Sequence, residues 1–429
     1  LLVAKWDIRL MSTLWKSVAV LDSSHYSMVL NQPFEATDED MHDLAELERI
    51  RILVRKDIDE FSLARTTIES WKRPPMLSVT YCLTYACNMA CSYCIQKRDD
   101  SPANPVCAAR SPDDVAAFIL QGLSFYGLDA VEVVLFGGEP TLEYDRMLEF
   151  MVCLNALARE QTLSAPTYHL VTNGTLLTTT GIRLLAGLGL RKIQLTVDGL
   201  PSMHNMRRRV SSGTGTWGKL WENILSATQE GITTSVNMVV DAKNMSHIRP
   251  TVDVMETLSE RYPYLKTHSE VVFSLLIPTC ATQPRCDSLL YGREKELLLT
   301  ILEGYKYARD LGWKTTNWFF CGTSARESYH AFIVGPDGRL FKCYGTIGDA
   351  QHAIGSIDDP FPSIDRASRE VASLDLWDED CSLCPILPFC RGGCQAISAI
   401  SHGGEFGHKL CEKEIWLPVM SKALEYEFC

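Results

Sequence analysis

Ser78-Val79-Thr80-Tyr81-Cys82-Leu83 runs, after three linking residues, into Cys87-Asn88-Met89-Ala90-Cys91-Ser92-Tyr93-Cys94. The first stretch reads as a candidate strand. The second puts three thiols, at spacings of four and three, into one loop just past that strand. A zinc site takes four ligands, and no fourth lies nearby. A cubane iron–sulfur cluster takes three cysteines and leaves one iron open. Zinc, or plain buried thiols, is the competing reading of this loop alone.

Outward from the loop the pattern alternates. Further candidate strands are Val131–Phe136, Thr167–Thr172, Lys192–Val197, Thr234–Val240 and Val271–Leu276, with helical patterns between them. The best signalled helix starts at Ser111, a capping residue with Pro112 at the first helical position and Asp113 and Asp114 in the first turn. The last falls within Gly292–Leu311. Six strand–helix units predict an α/β fold, a partial (β/α)6 TIM-like barrel over residues 76–315.

Residues 1–75 read as a small α+β extension. Ser17–Leu21, Tyr26–Leu30 and Ile50–Val54 are its strands. A helix capped by Thr37 carries Leu44, Leu47 and Ile50 on one face, and Asp57–Trp71 is a second helical stretch. Pro74-Pro75 ends the unit. Residues 1–10 precede Met11-Ser12-Thr13, which reads as a natural start, so they are left out of the expected fold.

Composition narrows the function. Hydrophobic residues make up 46% and charged residues 22%, as in globular proteins. A net charge of −12 argues against nucleic acid, which binds basic faces. Apolar runs such as Val131–Phe136 are too short to span a membrane. No secretory signal stands out, so a cytoplasmic protein is expected. In that reducing compartment, 16 cysteines point to metal or redox chemistry.

Gly137-Gly138-Glu139-Pro140 directly follows the second barrel strand, Thr172-Asn173-Gly174 ends the third, and Thr196-Val197-Asp198-Gly199 ends the fourth. Each alone is as readily a turn. Together they occupy the strand ends where barrel active sites gather. Two glycines let a backbone approach a ligand closely, and Glu139 is able to accept a hydrogen bond from an ammonium group.

With the three-cysteine loop, these segments resemble the radical S-adenosylmethionine (SAM) superfamily over Leu77–Leu276. The resemblance implies that Cys87, Cys91 and Cys94 hold a [4Fe-4S] cluster whose open iron binds SAM. Cleavage of SAM then yields a 5′-deoxyadenosyl radical that abstracts hydrogen. It also implies SAM contacts from Tyr93, Gly137, Gly138, Glu139, Pro140, Asn173, Thr196 (at the ribose) and Arg208 (at the carboxylate). His204, four residues before Arg208, is assigned no chemistry.

Residues 316–429 are turn-rich and hold eight of the 16 cysteines, so metal centres rather than a core of its own are expected to hold this tail together. Gly338-x4-Cys343, then Cys381-x2-Cys384-x5-Cys390-x3-Cys394 and Cys411, preceded by Cys321, resemble the SPASM domain. Zinc is the competing reading. The resemblance implies two auxiliary [4Fe-4S] clusters, three clusters in all. Cys321, Cys343 and Cys394 would serve one, and Cys381, Cys384, Cys390 and Cys411 the other. The further cysteine that fully ligated members carry is missing from Ser324–Tyr329, which leaves an open iron or a non-cysteine ligand. Cys280 and Cys286 are weak candidates for substrate chemistry or late ligation, and Cys82, Cys107, Cys153 and Cys429 read as inert.

The resemblance points to a maturase of ribosomally made peptides that forms a thioether or carbon–carbon crosslink. Its partners would be a precursor peptide or protein and a flavodoxin- or ferredoxin-type electron donor; the N-terminal unit would either bind the precursor's leader or merely cap the barrel. Sulfatase maturation is an alternative, but Tyr344 stands where that family has an aspartate base. Oxidation of a small molecule is another, and a non-catalytic zinc or iron–sulfur module a remote one.

Overall fold

The structure, a computed structural model, describes residues 2–3, 8–12, 17–21, 38–49, 59–96, 109–210, 213–277, 292–315 and 324–426. Strands β1 (Leu2–Val3), β2 (Ile8–Ser12) and β3 (Ser17–Leu21) form an antiparallel sheet. Residues 1–10, left out of the expected fold, thus supply β1 and part of β2, and β2 pairs along its whole length with β3. Helices Asp38–Arg49 and Glu60–Trp71 follow, the second capped by the Asp59 carboxylate, which accepts from the Phe61 and Ser62 amides. The expected strands Tyr26–Leu30 and Ile50–Val54 and the Thr37 cap lie outside the described residues.

The six expected barrel strands are present: β4 (Leu77–Cys82), β5 (Val131–Phe136), β6 (Thr167–Thr172), β7 (Leu190–Thr196), β8 (Thr233–Val240) and β9 (Ser269–Leu275). All pair in parallel with their sequence neighbours. The crossover helix Pro112–Tyr126 begins with a capping box between Ser111 and Asp114, as its sequence dictates. In β5, Val131, Val133 and Leu135 are buried under helices, while Glu132, Val134 and Phe136 face inward and are only half-buried. This alternation leaves a cavity inside the partial barrel.

Besides β1 and β2, four strands among the described residues were not foreseen. β10 (Lys314–Thr315) extends the sheet beyond β9. At the opposite edge β11 (Ala331–Val334) pairs in parallel with β4, followed by β12 (Arg339–Phe341) and β13 (Gly355–Ser356) in antiparallel. The expectation that the tail builds little core needs correcting. Phe332, Val334, Leu340, Phe361 and Ile364 join the same buried cluster as the barrel strands. The free edge of β4 demands a partner, and Ala331–Val334 is the apolar segment that meets it. Among the described residues no helix is long and apolar enough to cross a membrane.

Candidate active site

The three-cysteine loop is clamped from two sides. On one, the Ala90 amide donates to the Arg209 carbonyl (2.8 Å) and the Ser92 amide to that of Arg207 (3.3 Å). On the other, Asn173 Nδ2 donates to Asn88 Oδ1 and Asn88 Nδ2 to Thr175 Oγ1, both at 2.8 Å. Asn173, expected to meet a cofactor, therefore spends its amide on the loop, and its Nδ2 also lies 3.9 Å from Cys87 Sγ.

The glycines of Gly137-Gly138 are needed for a reason the sequence did not show. The lead-in backbone lies directly on them: a Cβ on Gly138 would sit 2.1 Å from the Ala86 carbonyl oxygen, and one on Gly137 2.6 Å from that of Thr84. The close approach is to the chain itself. Glu139 also departs from its expected role. It is fully buried. One carboxylate oxygen accepts from the Thr141 amide (3.0 Å), the Thr141 hydroxyl (2.5 Å) and the Thr172 hydroxyl (2.5 Å), and the other from the Asn173 amide (2.7 Å). Neither Glu139 nor Pro140 lines the cavity, whereas Gly137 and Gly138 do. Glu139 fixes the end of β6, and with it Asn173.

Behind the loop lies a buried ionic network that sequence reading missed. The Tyr93 hydroxyl donates to Asp198 and accepts from Arg208 Nη1 (2.7 Å). Asp198 also accepts from Arg207 Nε (3.4 Å) and the Val239 amide (3.1 Å), and Arg207 Nη1 reaches Asp241 at 2.5 Å. Asp198 had read as a turn residue. Its complete burial requires the partners that only the fold supplies. His204 is also buried. It accepts from the Asp198 amide (3.2 Å) and pairs with the Thr216 hydroxyl (2.9 Å), and burial with Arg208 and Arg207 beside it lowers its pKa to about 3. It is a structural neutral imidazole.

Arg208 differs from Arg207. Among the described residues it has no carboxylate partner and its Nε is buried without a hydrogen bond, and it lines the cavity beside the cysteine loop. Burial works against its charge, but Tyr93, Cys91 and Asp198 outweigh burial and raise its pKa. A buried guanidinium with a spare donor fits the carboxylate of an amino-acid ligand.

The cavity measures ≈ 1080 Å³. Cys87, Cys91 and Cys94 line one part, and Cys343, Cys390 and Cys394 another. Thr196 stands at the end of β7 on its wall. Tyr344 also faces it, edge-on to Phe136 (5.2 Å), with its hydroxyl 2.8 Å from Thr80 Oγ1. Burial raises the Tyr344 phenol, so it stays protonated. Cys394 lies close enough to Cys343 to raise its pKa, and Cys390 feels Cys384 and Cys411, although burial is the larger cause in each case. Cys381 sits near Lys409 and Asp378. Cys280, Cys286, Cys321, Cys107 and Cys429 lie outside the described residues. Among the described residues no three His, Cys, Asp or Glu side chains gather around one metal-ion position. Ligands of a multi-iron cluster bind separate irons and stand wider apart than those of a single zinc.

Comparison with known proteins agrees with this geometry. Residues 81–255 match the Radical SAM superfamily. A serine-type anaerobic sulfatase-maturating enzyme of Klebsiella aerogenes is 24% identical over 323 residues, covering 72% of this chain and 77% of that protein. The structure of native anSMEcpe with bound AdoMet superposes with a TM-score of 0.57 at 19% identity, covering 82% of this chain and 97% of that one. Streptococcus suis SuiB bound to its precursor peptide SuiA gives 0.53 at 14% identity, covering 94% and 97%. The chain carries a radical SAM domain over residues 81–255 and is an enzyme. Its family implies SAM and a [4Fe-4S] cluster, and the open three-cysteine loop beside Arg208 is chemically suited to hold them.

Proposed function

We propose that this enzyme matures a peptide or protein, removing hydrogen from one of its side chains and closing a thioether or carbon–carbon crosslink. One observation carries the reading. A single cavity holds the three-cysteine loop and the tail cysteines Cys343, Cys390 and Cys394, and reaches helix Glu60–Trp71 through Arg65, Glu69 and Lys72. Its volume suits a stretch of peptide better than a lone small metabolite. Related folds are described with peptides bound: anSMEcpe with the Kp18Cys peptide and SuiB with SuiA.

Bound at the loop, SAM and its cluster supply the hydrogen-abstracting radical. In this reading Cys87, Cys91 and Cys94 ligate the cluster, and Arg208 takes the SAM carboxylate. Gly137, Gly138, Asn173 and Thr196 frame the cofactor, and Tyr93 aims Arg208 through their hydrogen bond. Cys321, Cys343 and Cys394 serve one auxiliary cluster, and Cys381, Cys384, Cys390 and Cys411 a second. The proximity of Cys343 to Cys394, and of Cys390 to Cys384 and Cys411, supports that division. The electron donor is of flavodoxin or ferredoxin type. The N-terminal sheet offers an edge for an extended leader.

Formylglycine formation is the second reading, favoured by the curated relatives. It needs a base for the substrate hydroxyl or thiol. The carboxylates lining the cavity are each held by a cation, Glu69 by Lys72 (2.9 Å), Glu327 by Arg391 (3.2 Å) and Asp375 by Arg65 (3.2 Å), and Tyr344 stays protonated. That supports crosslinking.

The test is anaerobic reconstitution, then dithionite, SAM and a panel of cysteine- and aromatic-containing peptides. About twelve irons per chain are expected, with peptide-dependent 5′-deoxyadenosine and a product that has lost a pair of hydrogens and fragments as a ring. A hydrazide-reactive aldehyde product would establish the second reading instead. Zinc in place of iron, with SAM intact, would exclude both.

A further inference from the structure

Each cation at the outer part of the cavity has a carboxylate: Arg65 has Asp375, Lys72 has Glu69 and Arg391 has Glu327. Lys342 donates to the Ser328 and Ala331 carbonyls and the Ser368 hydroxyl. Two guanidiniums remain on the wall without a carboxylate among the described residues, Arg208 beside the three-cysteine loop and Arg326 beside Cys343 and Cys394.

Arg326 makes no hydrogen bond or ion pair among the described residues; its guanidinium lies over the face of Phe406, 4.4 Å away, with Cys343, Cys394 and Glu327 near it. That stacking fixes the plane of the group and leaves its N–H edge for another partner. The adjacent carboxylate does not serve it: Glu327 pairs with Arg391, and its other oxygen accepts from the Ser324 amide and hydroxyl, both at 3.0 Å. A partly buried arginine with five donors and no acceptor is an incomplete site.

We propose that Arg326 is a specificity residue that binds a carboxylate of the peptide substrate and so anchors the chain beside Cys343 and Cys394. The anchor rests on the peptide reading above. A planar guanidinium recognises a carboxylate through paired hydrogen bonds, and an amide of the same shape cannot return both. A substrate side chain and a substrate C-terminus carry the same group, so both are considered.

The experiment uses the reconstituted full chain and a peptide set with one cysteine. A single glutamate is walked along the sequence, each peptide is matched by its Glu→Gln twin, and the set is made with free and with amidated C-termini. Affinity is read by fluorescence anisotropy. For the parent enzyme we expect the carboxylate form to bind about tenfold more tightly or better at one position. R326Q should bring the paired affinities to within about twofold, and R326K should keep part of the preference, with iron per chain unchanged in both. A preference confined to free C-termini assigns the anchor to the terminus; one that follows the glutamate assigns it to a side chain. Peptides that bind the parent without any carboxylate preference, or a preference that survives in R326Q, overturn the anchor alone. A cluster potential that moves in R326Q while the preference stays would make Arg326 a counter-ion of the cluster, which also overturns it. If no peptide binds, neutral ones included, the peptide reading falls and the anchor with it.

Discussion

Glu139→Gln separates the two accounts of this residue, a contact to a bound ammonium or an internal strut. The amide oxygen is able to keep the acceptor position that serves Thr141 and Thr172. The amide nitrogen must then replace the oxygen that takes the Asn173 amide at 2.7 Å. One charge-assisted hydrogen bond is lost, about 1.5–3 kcal/mol, and a buried donor is left facing another donor, about 1–3 kcal/mol more. Taking about 3 kcal/mol, the protecting equilibrium at the end of β6 weakens by roughly a hundredfold. Hydrogen exchange by mass spectrometry, on a fragment containing Asn173, should show that acceleration with SAM absent. SAM affinity should fall too, but only as a consequence of the displaced loop. Unchanged exchange together with a tenfold weaker SAM complex would refute the strut and restore the direct contact.

Three further perturbations test the neighbouring features. Gly138→Ala sets a Cβ 2.1 Å from the Ala86 carbonyl oxygen, so the lead-in to Cys87 must move; we expect loss of the loop's share of iron, and full iron content would contradict the close packing. Asp198→Asn leaves Arg207 with the Asp241 carboxylate and the Val239 carbonyl and should cost about 3 kcal/mol, read as a lower urea midpoint; a midpoint equal to the parent's would show that the network contributes nothing. His204 has a depressed pKa of about 3 against 6.5 when unfolded, chiefly through burial. Its stabilising contribution is therefore complete above 6.5 and drains away as pH falls towards 3, where the unfolded chain takes up the proton and the folded one does not. His204→Gln should flatten the fall in urea midpoint across that window, and an unchanged slope would remove His204 as its cause.

The barrel was legible because its signals are local. An apolar run with an inward and an outward face reads as a strand, and Ser111-Pro112-Asp113-Asp114 reads as a helix start, wherever they fold. The strand ends carrying Gly137, Asn173 and Thr196 were legible for the same reason. What escaped was non-local. Ala331–Val334 is an ordinary apolar tetrapeptide until the edge of β4 is beside it. Asp198-Gly199 is an ordinary turn until Tyr93 and Arg207 bury the carboxylate. Arg207 and Arg208 are adjacent and chemically identical, and only the fold assigns one to Asp198 and Asp241 and leaves the other facing the cavity. Arg326 carried no sequence signal, because only the fold sets its guanidinium over Phe406 and on the cavity wall.

One strand sets the relation between the two groups of cysteines. The C-terminal end of β4 delivers the chain into Cys87, its free edge pairs with β11, and Thr80 in its middle bonds the hydroxyl of Tyr344, the residue after Cys343. Cys82, Ile333, Phe341 and Ile347 close the contact as one buried cluster. The loop and Cys343 are therefore tied to the same six-residue element. A hinge-free tie of this kind suits the proposed reaction, in which both groups of cysteines serve one substrate, because small misplacements of reacting groups are costly in rate. A linker between barrel and tail would let the two cysteine groups drift. Parallel pairing of β11 with β4 removes that freedom, at the expense of making the tail inseparable from the barrel core.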